Sequence, residues 1–133
     1  RTSHSGEDGT VGLFLDGVSA QAAADEGDIV WLPQLRQNES FRTNIGLATT
    51  GDDRARVRIF LYDASGGELV SRWKTLEAGG WMQLQEPFVR LAGRSDIASG
   101  SASVEVSSGS GVIAYASVID NATNDGTAIS MKR

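Results

Sequence analysis

Short runs in which apolar and polar residues alternate, separated by clusters of Gly, Ser, Asp and Asn, dominate this chain. That is the pattern of half-buried β-strands, and it leaves little room for helix. Residues 10–15, 29–35, 41–49, 54–62, 68–76, 81–85, 101–107, 112–120 and 127–131 read as strands, eight or nine in all. The alanine-rich segment 19–26 offers one or two helical turns behind a Ser N-cap. Residues 87–98 are a second short helix, because Pro87 suits a first helical position and Phe88, Leu91 and Ala92 recur at helical spacing.

The alternation also predicts a register, since a one-residue slip would turn every apolar side chain to the wrong face. Closing a hairpin around Asp52 sets Leu47 opposite Val57, Ile45 opposite Ile59 and Thr43 opposite Leu61. Closing the next around Ser65 sets Leu61 opposite Leu69 and Val57 opposite Trp73, which places Trp73 in the core. A third hairpin around Gly109 matches Val106 to Val112 and Val104 to Ala114. Residues 112–119 are apolar on both faces and belong in the middle of a sheet. One long sheet would leave its apolar face in water, so the expected fold is all-β, a two-sheet antiparallel β-sandwich of immunoglobulin-like or jelly-roll-like kind, with a barrel as the alternative.

Composition narrows the chemistry. The chain has 133 residues, 12 Lys+Arg against 17 Asp+Glu, and a formal net charge of −5. That is the size of one domain, spanning residues 1–133, and such a chain buries roughly 65–70% of its unfolded surface without staples. It has no Cys and one His, so disulfides, thiol catalysis and Cys/His zinc sites are excluded. No run approaches the roughly 20 apolar residues of a membrane-spanning helix, and the first ten residues do not form a signal peptide.

Three segments carry a resemblance. They are Pro33-Gln34-Leu35-Arg36, Phe41-Arg42-Thr43-Asn44-Ile45-Gly46-Leu47, and the run from Ser108-Gly109-Ser110-Gly111 through Tyr115 to Asp120-Asn121. With these the chain, from about residue 9 to 129, resembles an accessory β-domain found near the C-termini of large secreted or cell-surface bacterial proteins, often in tandem and beside peptidase or other hydrolase domains. The resemblance implies an extracellular location, a β-sandwich and a non-enzymatic role, and it transfers no active-site residue. It also implies that residues 1–8 are either mobile or the remnant of a strand shared with a preceding copy.

Individual motifs are mostly structural. Gly109-x-Gly111-x-x-Ala114 matches a dinucleotide fingerprint but precedes a β-branched run instead of a helix, so it reads as a turn. The segment from Asn121 to Gly126 half-matches a calcium loop, yet Lys132 stands where a bidentate acid is required. Looser calcium binding through Asp120, Asp125 or Asp52 and Asp53 is the remaining metal reading, and the expectation is no metal and no cofactor. His4 sits among Ser and Gly at a terminus, no nucleophile elbow occurs, and the acids fall mainly in turns. The expectation is therefore no enzyme.

Two surfaces are candidate binding sites. In the register above, Arg54, Arg56 and Arg58 share a strand face, with Arg72 and Lys74 across from them and Arg42 across from Tyr62. Six cations so placed form a grooved basic face for an anionic polymer or for an acidic face of a neighbouring domain. Trp31, Tyr62 and Trp81 are candidates for a platform that stacks on sugar rings. The expected role is a secreted, non-catalytic binding or assembly module. Its partners would be neighbouring domains of the same protein, another copy, or an anionic or neutral polysaccharide, without nucleic acid or membrane insertion. The alternatives are a carbohydrate-binding module and a filament subunit joined by strand exchange.

Overall fold

The computed structural model describes residues 23–133. The strand expected at residues 10–15, His4 and the first part of the alanine-rich segment lie outside them. Residues 23–26, the described end of that segment, are not helical: Ala24 is buried and bridges to Val112, its N–H donating to the Val112 carbonyl at 2.7 Å.

Eight strands and one short helix follow in chain order. They are β1 (Ile29–Gln37), β2 (Phe41–Thr49), β3 (Ala55–Tyr62), β4 (Glu68–Leu76), β5 (Trp81–Gln85), α1 (Pro87–Arg90), β6 (Ile97–Ser108), β7 (Val112–Asp120) and β8 (Gly126–Ser130). They form two four-stranded antiparallel sheets, ordered β1-β6-β3-β4 and β5-β2-β7-β8, so the protein is an all-β sandwich. Val30, Leu32, Val57, Ile59, Leu61, Val104 and Val106 from the first sheet meet Ile45, Leu47, Val112, Ala114 and Ala116 from the second in one core. Burying each Val, Leu or Ile there stabilises by roughly 1.5–3 kcal/mol against the cost of ordering it. As expected, β7 is central, between β2 and β8, with Ile113 and Tyr115 buried on its outward side as well.

Two expected hairpins are absent. β2 lies between β5 and β7, and β3 lies between β6 and β4, so Leu47 pairs with Met82 and Ala114 instead of Val57. Likewise β6 and β7 belong to different sheets, and Val106 pairs with Val57. The connections around Asp52 and Gly109 are arches that carry the chain across the core. Facing residues then meet through the sandwich, which satisfies the same inward alternation as lateral pairing does. The two arches pack together. Thr50 N–H donates to the Gly111 carbonyl at 2.8 Å, and the Thr49 hydroxyl donates to the Ser110 carbonyl at 3.0 Å. Gly109 has φ +94, and a Cβ there would stand 2.7 Å from Ala55 Cα, so this position requires glycine twice over.

The β3–β4 hairpin does form around Ser65, with its turn held by Asp63. The Asp63 Oδ1 accepts from Ser65 Oγ at 2.7 Å, Gly67 N–H at 2.9 Å and Ser65 N–H at 3.0 Å. The Ser65 hydroxyl, and then the Gly67 N–H, hold the Asp63 carboxyl below its usual value. Tyr62 pairs with Glu68 in the expected register, but Leu61 pairs with Val70, so Leu69 is an extra residue in β4. This bulge shifts the rest of the strand by one. Trp73 turns outward and is 45% exposed, a correction to its expected place in the core. The second helix is likewise shorter than expected, a single turn whose buried Phe88 plugs the sandwich near Ile97 and Gly100.

Candidate functional site

The expected cluster of six cations does not form: the bulge at Leu69 removes two of them, an ion pair occupies a third and the strand order removes a fourth. After the shift, Arg72 pairs with Ile59 and Lys74 with Val57, both on the side of the sheet that carries the core, where they reach solvent at the edge. Arg72 Nη1 donates to the Ser71 carbonyl at 2.8 Å. Arg54 precedes β3 and is occupied by Glu77, with Nε 3.3 Å from Oε2. Arg42 is in the other sheet, where its guanidinium donates to Asn121 Oδ1 at 2.7 Å and Asn124 Oδ1 at 3.3 Å and so braces the β7–β8 turn. Of the six, Arg56 and Arg58 remain together on the outer face of the β1-β6-β3-β4 sheet.

Aromatic rings take the vacated places. Trp73 is the β4 partner of Arg58, and the guanidinium groups of Arg56 and Arg58 lie 4.4 and 5.4 Å from the centroid of its ring system. Arg58 also lies 4.9 Å from the centroid of Phe60. Phe60 stacks beside Tyr62 at 6.4 Å, and Tyr62 meets Trp31 of β1 at 5.5 Å. The rings of β1 and β3 approach across β6 because β6 contributes only serines beneath them. Ser103 pairs with both Trp31 and Phe60, is buried, and lies 3.0 Å from the Tyr62 hydroxyl. The result is a continuous row, Trp31–Tyr62–Phe60–Arg58–Trp73–Arg56, with Trp31 exposed at one end and Trp73 exposed near the other. From Arg56 to Tyr62 it follows β3 for about 20 Å at the usual strand rise.

Two of the three expected platform aromatics, Trp31 and Tyr62, therefore stand together. Trp81 does not join them. It sits on β5 at the edge of the other sheet, 43% exposed, beside a groove of about 450 Å³ lined by Gln83, Gln85, Pro87 and Arg90. A second groove, of about 550 Å³, opens where β1 and β8 diverge and is lined by Gln34, Arg36, Phe41, Asp120 and Asp125. Phe60 and Trp73 were missed by sequence reasoning. Alternation along β3 marked Phe60 as outward, but the bulge that exposes Trp73 has no signal of its own in the chain.

The acidic turns are self-contained. Asp120 Oδ1 accepts from the Ala122 and Thr123 N–H groups, and the Asp125 N–H donates to the Thr123 hydroxyl. Among the described residues no group of three or more His, Asp or Glu is arranged to hold a metal ion. Elsewhere Arg94 hydrogen-bonds Asp96 at 2.7 Å, which lowers the Asp96 carboxyl and raises the guanidinium above its ordinary value. No helix among the described residues is long and apolar enough to cross a membrane.

No known family's sequence pattern matches the chain, and no curated protein matches it. Solved structures do. The crystal structure of Thermotoga maritima 1070 superposes with a TM-score of 0.60 at 16% identity, covering 81% of this chain and 94% of that one. The Anabaena sensory rhodopsin transducer superposes with a TM-score of 0.52 at 13% identity, covering 69% of this chain and 97% of its own. At these identities the likeness is one of fold alone.

Proposed function

We propose that this chain is a non-catalytic binding module, part of a secreted or cell-surface protein, that holds an extended polysaccharide along the outer face of the β1-β6-β3-β4 sheet. The observation that carries this reading is the row of rings from Trp31 to Trp73. Sugar rings present apolar C–H faces to aromatic rings and polar rims to donors, and both chemistries stand here on one strand-built surface. The row lies on strands instead of loops, so its spacing is set before any ligand arrives.

Affinity electrophoresis through gels containing soluble polysaccharides tests it. Retardation of the wild-type protein is expected, reduced about tenfold in affinity by Trp31→Ala or Trp73→Ala, which is the loss of ~1.4 kcal/mol of stacking. Unchanged retardation in both variants, or none by any polysaccharide, would overturn the proposal. A second reading is favoured by Ile29, which lies beside this row on β1 and is 45% exposed. An aliphatic side chain suits a protein partner, so the face would then pair with a neighbouring domain or another copy. Sedimentation that depends on protein concentration and is abolished by Ile29→Ser would support it.

A further inference from the structure

The geometry points to an anionic polysaccharide as the occupant of the row, with Arg56 and Arg58 as the two groups that read its charge. This rests on the polysaccharide reading and names the chemical class. Both guanidinium groups lie over Trp73, that of Arg58 also over Phe60, and neither has a carboxylate within 4.0 Å among the described residues, although the protein as a whole is acidic. Arg58 donates one hydrogen bond, from Nη2 to Ser71 Oγ at 3.1 Å, and its Nε is buried with no hydrogen-bond partner. Rings and one hydroxyl offset part of the desolvation of this half-buried guanidinium, and a charged acceptor would offset more of it. Contact with two rings and the bond to Ser71 hold the Arg58 guanidinium in place in advance, which favours two-point recognition of a carboxylate or sulfate. Ring and charge alternate along the Phe60–Arg58–Trp73–Arg56 part of the row, as sugar faces and acidic groups alternate along an acidic glycan.

Glu105 is the counterpart that makes the inference sharp. It is the β6 partner of Arg58 and shares the outer face, yet forms no ion pair with either arginine among the described residues. Toward a polyanion its carboxylate is repulsive, whereas toward a neutral glycan it is one more hydrogen-bond acceptor. Removing its charge while keeping an acceptor oxygen therefore changes the affinity for the polyanion and not that for the neutral glycan.

The test uses polygalacturonate in the presence of chelator, its methyl ester, dextran sulfate, dextran and a single-stranded oligonucleotide, each titrated at low and moderate salt. Polygalacturonate is expected to bind at least tenfold more tightly than its methyl ester at low salt, and to lose that advantage as salt screens the charges. Arg56→Gln, at an exposed position, should remove most of the preference without changing the thermal midpoint. Arg58→Lys should lose several-fold despite keeping the charge, since an ammonium has no planar fork. Glu105→Gln should tighten polygalacturonate binding several-fold and leave the methyl ester unchanged. The ratio of polygalacturonate to dextran sulfate identifies carboxylate or sulfate as the preferred source of charge. Equal binding of the acid and its methyl ester overturns the anionic inference and leaves the polysaccharide reading standing. No binding of any glycan overturns both, and tighter binding of the oligonucleotide overturns both in favour of a different polymer.

Discussion

The two arches make a quantitative claim that a pair of glycine substitutions can check. Gly109 and Gly66 have nearly the same unusual backbone, φ +94 and φ +86. An Ala at either position carries the left-handed penalty, about 1–2 kcal/mol. They differ in surroundings: a Cβ on Gly66 has nothing within 4 Å, whereas one on Gly109 stands 2.7 Å from Ala55 Cα, 2.8 Å from Ala55 Cβ and 2.9 Å from the Arg54 carbonyl oxygen. Ala55 is fully buried and its backbone is fixed by β3, so the β6–β7 arch has to lift away. Such overpacking costs typically ~1–3 kcal/mol more. Gly66→Ala should thus lose about 1–2 kcal/mol and Gly109→Ala about 2–5 kcal/mol. Urea unfolding followed by tryptophan fluorescence gives both values, and in their difference the effect that Gly→Ala has on the unfolded chain cancels. If Gly109 sat at the tip of a free hairpin, as the alternation in the sequence suggested, the two variants would be equally destabilised. Equality within about 0.5 kcal/mol would refute the packed-arch geometry and the sheet order that depends on it.

Asp63, whose carboxyl is lowered mainly by the Ser65 hydroxyl and the Gly67 N–H, contributes stability that is present above its unfolded value and lost as pH falls through its lower folded value. Asp63→Asn should therefore flatten the acid limb of stability below about pH 4, measured by unfolding midpoints across pH, while Asp28 and Asp96, also lowered by hydrogen bonds, preserve part of it. Arg42→Ala should cost about 1 kcal/mol or less, since its bonds to Asn121 and Asn124 are exposed, but should speed hydrogen exchange in residues 121–125 well beyond that of β7; an unchanged turn would mean that the brace is dispensable. Millimolar calcium and chelator should give the same thermal midpoint, and a rise of several degrees with calcium would reveal a site in the Asp120–Asp125 turn.

Four of the six residues in the row were named from the sequence: Trp31, Tyr62, Arg56 and Arg58. Arg56, Arg58 and Tyr62 follow from alternation along β3, because side chains two apart share a face whatever the strand pairs with, whereas Trp31 was named by residue type. Trp73 was not legible, since one extra residue at Leu69 reverses the facing of every later residue in β4 and no side chain at the bulge announces it. Arg72, Lys74 and Arg42 were drawn into the cluster by assumed pairings, and Trp81 by residue type alone.

The same division holds for the fold. Local alternation was enough to place the described strands, the all-β class and the inward side chains of the strands other than the bulged β4, because those properties depend on a residue and its near neighbours. Lateral order was decided only in three dimensions. A β-strand whose apolar face is buried is equally satisfied by a neighbour in its own sheet and by one across the core, so Leu47 and Val57 serve the same core whether paired or opposed. What breaks the tie is the packing of arch against arch at Gly109 and Gly111, residues far from Thr50 and Ala55 in sequence and in contact only once both sheets are closed.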